Sequence, residues 1–327
     1  MSGWSVQNIP DQRGRTAVVT GANSGLGYVT ARELARKGAR VVLACRSEAR
    51  GRDAVERLRG EVPGVDVELG RLDLGDLASV REFAGSLPYE RLDLLVNNAG
   101  VMAMPYGTTA DGFETQFGVN HLGHFALTGL LLPALLAAEE RSSGVRVVTV
   151  SSMAHLLGNI EAGDLGNDGS NDGNDSSALN SERQYRRWSA YGRSKTANLL
   201  FTHELARRLA AAGSGVVAAA AHPGYAATNL QTAGPRAAGR RVAERLMALG
   251  NRVIAQSAEA GALPALYAAT APRVRPDSFT GPSLAMWRGA PAPSRRASWT
   301  LDDRAGERLW AASERLTGVS YAAALKA

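Results

Sequence analysis

Cysteine is all but missing: Cys45 is the only one in 327 residues. One thiol closes no intramolecular disulfide and builds no cysteine-based zinc cluster, so the fold is expected to rest on packing in a reducing cytosol. Long apolar runs are scarce too. Met1 to Arg15 is polar and lacks the apolar centre of a signal peptide. The longest apolar run, His124 to Ala138, falls short of a membrane span and contains Thr128, Gly129 and Pro133. These absences lead to the expectation of a cytoplasmic protein without a membrane anchor. Blocks of like charge are also absent. Lysine and arginine total 37 against 31 acidic residues, a formal charge of +6, but the arginines are scattered, which reads as solvated basic faces and not as a nucleic-acid surface. His121, His124, His155 and His222 do not recur at metal-ligand spacing and are read as structural, with His155 close enough to Ser152 to approach it. The Gly/Asn/Asp/Ser run Gly166 to Ser177 looks like a calcium loop at first, yet the twelfth position counted from Asp168 is Leu179 where glutamate is required. No metal is expected.

What remains is a chain with 45% hydrophobic residues, long enough to bury a large core. Short β-branched runs alternate with longer helical patterns. Strands are expected at 16–20, 40–45, 66–72, 92–97, 145–151 and 216–222, with helices between them at about 24–37, 48–59, 77–87, 113–137 and 189–212. That alternation implies right-handed βαβ crossovers and an α/β fold: a doubly wound parallel sheet (Rossmann fold) with helices on both faces. In the long fourth helix, Gly118, Gly123 and Gly129 lower the local propensity and point to close packing. One domain over 1–327 is expected, with a flexible insertion at 166–187 and a substrate-covering elaboration at 229–327. The latter should contain helices at 236–249, 259–270 and 302–316 and a short strand at 279–284.

Chemistry gathers at a few points. Thr20 to Gly27 reads TGxxxGxG between the first strand and its helix, where glycines allow a tight turn and the approach of a pyrophosphate to the helix N-terminus. Tyr191 and Lys195 are four residues apart, hence on one helix face. An ammonium there would stabilise a phenolate and lower the tyrosine pKa, making a general acid/base. A surface tyrosine beside a surface lysine is the competing account.

Those two motifs, with Asn97-Asn98-Ala99-Gly100 after the fourth strand, Ser151-Ser152 after the fifth and Pro223-Gly224 after the sixth, resemble in order and spacing the classical type of the short-chain dehydrogenase/reductase family. Ala44-Cys45-Arg46 and Val119 to Phe125 (VNHLGHF) are similar to its retinol dehydrogenase-like branch and bacterial relatives. The resemblance spans roughly residues 14 to 230.

It implies an oxidoreductase that moves a hydride between a nicotinamide cofactor and a carbonyl or alcohol substrate, a small and lipophilic one by the branch resemblance. Family members often pair through two helices, so a homo-oligomer is possible. The implied catalytic residues are Asn120, which helps hold a water leading from the lysine to solvent; Ser152, which holds the carbonyl; Tyr191, which transfers the proton; and Lys195, which binds the nicotinamide ribose. The implied cofactor contacts are Gly21, Asn23, Ser24, Gly25, Leu26 and Gly27 in the loop, Asp73 and Leu74 at the adenine, and Asn97, Ala99 and Gly100 beside the adenosine ribose. Tyr191, Lys195, Pro223, Gly224 and Thr228 complete the set at the nicotinamide. Asp73 could instead cap the next helix. Arg46 ends the second strand where an acidic residue would favour a free 2′-hydroxyl; a guanidinium suits a 2′-phosphate, so NADP(H) is expected over NAD(H). The main departure from the family pattern is the long separation of Ser152 from Tyr191. A dinucleotide-sensing protein without catalysis and a partner-binding protein are the alternatives.

Overall fold

Eight strands make one sheet in the order β3-β2-β1-β4-β5-β6-β7-β8 in the computed structural model, which describes residues 3–142, 144–161, 165, 182–225 and 256–326. The strands are β1 Thr16–Thr20, β2 Arg40–Cys45, β3 Val67–Arg71, β4 Leu94–Asn97, β5 Arg146–Val150, β6 Val217–Ala221, β7 Phe279–Leu284 and β8 Arg288–Pro293. Every pairing through β7 is parallel, and β8 runs antiparallel to β7. The order reverses between β1 and β4, and the carboxyl ends of the strands beside that switch point are where such sheets bind ligands.

The main helices are α1 Gly25–Arg36, α2 Glu48–Glu61, α3 Leu77–Ser86, α4 Thr115–Glu139, α5 Arg187–Ala211, α6 Ala258–Thr270 and α7 Asp303–Thr317. On one face Val18, Val42 and Leu95 of the sheet meet Phe83 of α3, Phe125 of α4, Phe201 of α5 and Trp310 of α7. On the other, Val19, Leu43 and Val96 meet Leu34 of α1, Leu58 of α2 and Leu266 of α6. With both faces covered, the inner strands read as continuous apolar runs. Helix α4 is long and apolar enough to cross a membrane by length and composition, but 72% of its most apolar window is buried inside the protein.

The glycines of α4 do what the sequence suggests. A Cβ on Gly123 would collide with the carbonyl oxygen of Leu74, and one on Gly129 would sit 2.6 Å from the Tyr321 ring. An unforeseen feature is the π turn Gly118–Leu122 inside α4.

Three expectations need amendment. Strand β8 was not anticipated, because Pro291 and Pro293 argue against a strand; as an edge strand it can hold prolines, which remove donors that no further strand needs. The end of the insertion expected at 166–187 is ordered: Glu182–Gln184 form a 3-10 turn, and the Tyr185 hydroxyl donates to Met104 O at 2.8 Å and accepts from Gln116 Nε2 at 2.7 Å. Helix α7 begins at Asp303, with Asp302 as its cap. The expected helix at 236–249 and Thr228 lie outside the described residues.

Candidate active site

The site forms at the carboxyl ends of β1 to β6. A cleft of about 150 Å³ is lined by Gly21 and Asn23 of the glycine-rich loop, Arg46, Ser47 and Arg50 after β2, Asp73 and Leu74 after β3, and Ala99 and Gly100 after β4. Gly21 has φ +66, and a Cβ there would lie 3.0 Å from Ala99 Cα, so only glycine lets the chain turn this close to the opposite wall. Thr20 knits the two walls together: its Oγ1 accepts from the N–H groups of Asn98 and Ala99, both at 2.9 Å. Ser24, Gly25, Leu26 and Gly27 open α1, where Ser24 makes no side-chain cap. Gly27 packs against Gly21 O and the Asn98 amide, which leaves no room for a side chain.

Asp73 does not cap α3. Asp76 does so, accepting from Ala78 N at 2.9 Å, while Asp73 Oδ1 accepts from Gly75 N at 2.9 Å beside the cleft. The side chain of Asn97, expected in the ribose wall, is instead turned into the core, where Nδ2 donates to Thr128 Oγ1 at 2.9 Å. It sits on the last residue of β4, whose alternation points inward.

Tyr191 and Lys195 lie one turn apart on α5, both buried, at 4% and 3% exposure. Lys195 Nζ is 5.7 Å from the centroid of the tyrosine ring and donates to Val150 O at 3.1 Å. The expectation that the lysine lowers the tyrosine pKa is corrected here. Burial pushes Tyr191 up to about 12, opposed by its hydrogen bond with Ser152, and burial pulls Lys195 down to about 8. Both charged forms lose water on burial, which raises the phenol and lowers the ammonium. Tyr191 is protonated at neutral pH, as a phenol is even at its ordinary pKa of about 10, and so can serve as a proton donor.

Ser152 follows β5, and its hydroxyl accepts from Ala154 N at 3.1 Å. Its neighbour Ser151 is structural: buried, it donates to the Lys195 carbonyl at 2.8 Å and anchors α5 to β5. Asn120 sits in the π turn, a common irregularity at functional sites. Its Nδ2 donates to Val101 O and Ser194 Oγ, both at 2.9 Å, and its Oδ1 accepts from Val101 N at 2.8 Å. Both amide protons are thus committed, so a water could meet Asn120 only as a donor to its oxygens. Asn120 Oδ1 and Lys195 Nζ both border Gly100, at 3.0 and 3.6 Å from where a Cβ would stand. On the far side, Gly224 has φ +66 and no room for a Cβ against Trp287 O, and the Pro223 carbonyl accepts from Gln256 Nε2.

A short chain dehydrogenase family model matches residues 15–163. Human retinol dehydrogenase 13 is 41% identical over 94% of this chain and 85% of its own length. The chain belongs to the short-chain dehydrogenase family. It is accordingly an oxidoreductase acting on CH–OH/C=O groups of small molecules and binding a nicotinamide dinucleotide. Among solved structures, an uncharacterised protein from Mycobacterium Paratuberculosis is 44% identical with a TM-score of 0.77, covering 98% of this chain and 99% of that one. A candidate NAD(P)-dependent gluconate 5-dehydrogenase from Beutenbergia cavernae with NADP bound at low occupancy is 28% identical with a TM-score of 0.54, over 80% of this chain and 92% of that one.

The residues of this dehydrogenase fit such a cofactor. The cleft has a side-chain-free floor at Gly21 and Gly100, an uncapped helix N-terminus for phosphates, and two guanidinium groups, Arg46 and Arg50, on its wall. Sequence reasoning missed Arg50, Ser47, Thr20, Val101 and Val119 in the lining. Arg50 was findable: it stands four residues beyond Arg46, in the first turn of α2. Val119 was not, because only packing brings α4 to this wall. Leu156 and Leu157 in the turn after Ser152, Trp188, and Tyr225 and Trp287 next to Gly224 are exposed. Trp188 meets Tyr191 edge-on at 6.2 Å, and Tyr225 stacks on Trp287 at 4.9 Å.

Proposed function

We propose that this dehydrogenase uses NADP(H) in preference to NAD(H) and acts on a lipophilic carbonyl or alcohol. The observation that carries the reading is the group of buried Tyr191, Lys195 and Asn120 with half-buried Ser152 beside a cleft that is lined by two arginines. The bound nicotinamide supplies or accepts the hydride. The chain's own part is alignment and proton control. The Ser152 hydroxyl holds the substrate oxygen, and Tyr191, neutral at pH 7, donates its proton to that oxygen as charge develops there. Lys195 holds the ribose next to the nicotinamide, and Asn120 keeps the wall at Val101 and Ser194 in register. Gly21, Asn23, Ser24, Gly25, Leu26 and Gly27 take the phosphates, Asp73 and Leu74 flank the adenine, and Arg46 with Arg50 pairs the 2′-phosphate, a charge-assisted contact that a 2′-hydroxyl cannot match. The exposed Leu157 after Ser152, Trp188 beside Tyr191, and Tyr225 and Trp287 next to Gly224 support an apolar substrate.

A panel of aldehydes, ketones and alcohols of graded chain length, assayed with NADPH/NADP and NADH/NAD in parallel, tests this. The expected result is a kcat/KM that rises with apolar length and favours the phosphorylated cofactor. Flat or NAD-favouring profiles reject it. Tyr191→Phe should lower turnover by about 100-fold or more while NADPH binding, followed by fluorescence, persists.

A further inference from the structure

The turn that carries Ser152 is held from behind by a residue outside the reacting group. His155, in the 3-10 turn Met153–Leu157, is fully buried. Its Nε2 lies 3.1 Å from Ala297 N, and since a backbone N–H can only donate, that ring nitrogen is unprotonated. The ring proton is then on Nδ1, which donates to the carbonyl oxygen of Ser152 at 2.7 Å. The backbone N–H of His155 donates to the same oxygen at 3.1 Å. Two donors on one carbonyl fix the peptide plane that leaves Ser152.

Ala297 belongs to a strap just after β8 that is fastened at two further points. His222 accepts from Gly224 N at 3.2 Å through Nδ1, which places its proton on Nε2, 2.7 Å from Ser294 Oγ. Arg296 grips Asp277 with two nitrogens, at 2.8 and 2.7 Å. The rings of His155 and His222 both pack on Phe279, with centroids 5.7 and 4.9 Å away. Strap 294–297 thus joins the serine turn to the Pro223-Gly224 turn.

We propose that His155 is a positioning residue for Ser152. Its Nδ1–H bond sets the direction of the serine hydroxyl towards Tyr191, and its Nε2 makes the strap at Ala297 the reference for that direction. This rests on the reading of Ser152 and Tyr191 as the reacting pair.

Two near-isosteric variants separate the two bonds. In His155→Asn the side-chain amide can keep the donor to Ser152 O but cannot reach Ala297. In His155→Gln the longer chain can present an oxygen to Ala297 N and loses the donor to the serine. The expected result is that His155→Gln lowers kcat about tenfold or more, as small misplacements of reacting groups do, with the NADPH Kd and melting temperature close to wild type, and that His155→Asn recovers most of that loss. Equal losses in both variants, or a His155→Gln kcat within about twofold of wild type, overturn the proposal. Tyr191→Phe in the same assay keeps the two ideas apart. If it retains turnover, the reading of the site fails whatever His155 does, and if it is inactive while His155→Gln is normal, only the positioning role fails.

Discussion

Lys195 is an ammonium placed where water is excluded. Burial lowers its pKa from 10.5 to about 8, so the folded state is penalised wherever the unfolded lysine would carry its proton in water. Below pH 8 both states hold the proton and the penalty is complete. From about 8 to 10.5 the unfolded chain binds more protons, so this contribution to stability improves as pH rises. Lys195→Met should therefore be more stable than wild type at pH 7, by no more than about 3 kcal/mol, and the gap should narrow across that window in urea unfolding curves. A gap independent of pH would show that lysine burial is not its source. Tyr191 works in the opposite direction. Its pKa is raised from 10.0 to about 12, so the folded chain keeps a proton that the unfolded chain releases, and stability falls as pH climbs through that interval. In the nucleotide cleft, Arg46→Asp should lower the NADPH/NADH ratio of kcat/KM at least about tenfold by removing a phosphate partner and adding repulsion; an unchanged ratio would reject the 2′-phosphate assignment.

Among the elements, α4 shows how packing constrains a helix more than propensity does. Gly118, Gly123 and Gly129 all weaken it as a helix, yet Gly123 is where the loop after β3 passes so close that a methyl group would meet the Leu74 carbonyl. Gly123→Ala should raise intrinsic helix propensity and still cost roughly 1–3 kcal/mol through overpacking against backbone that cannot retreat. Because Leu74 lines the nucleotide cleft, dinucleotide Kd should rise along with the loss of thermal stability, measured by calorimetry and fluorescence titration on one preparation. Stabilisation would mean that Leu74 moves freely. The sequence made the glycines visible as a pattern of close approach. The π turn at 118–122 has no comparable signature, and the partners Asn120 finds from it, Val101 and Ser194, are distant in sequence. The same limit explains β8, whose prolines hide a strand that exists only because β7 offers an edge.

Across the whole molecule, the nucleotide cleft and the reacting group draw on both halves of one sheet, so cofactor binding should stabilise the entire fold and not a part of it. A ligand that binds only the native state adds about 2.7 kcal/mol at one hundred times its Kd. A single calorimetric transition that moves upward with NADP, and less with an equal concentration of NAD, is the expected outcome. Two transitions, of which only one responds, would contradict a single cooperative unit.

The sequence by itself determined the strand and helix order, the parallel sheet and the motifs at its carboxyl edge, because periodicity, glycine spacing and a four-residue separation are local properties of the chain. Only the tertiary structure decided that Asn97 faces the core, that Arg50 and Val119 join the cleft, that Tyr185 is pinned to Met104, and that burial rather than Lys195 governs the pKa of Tyr191. Each of these depends on which groups lose their water and which partners distant segments supply, and neither is set until the chain has closed around them.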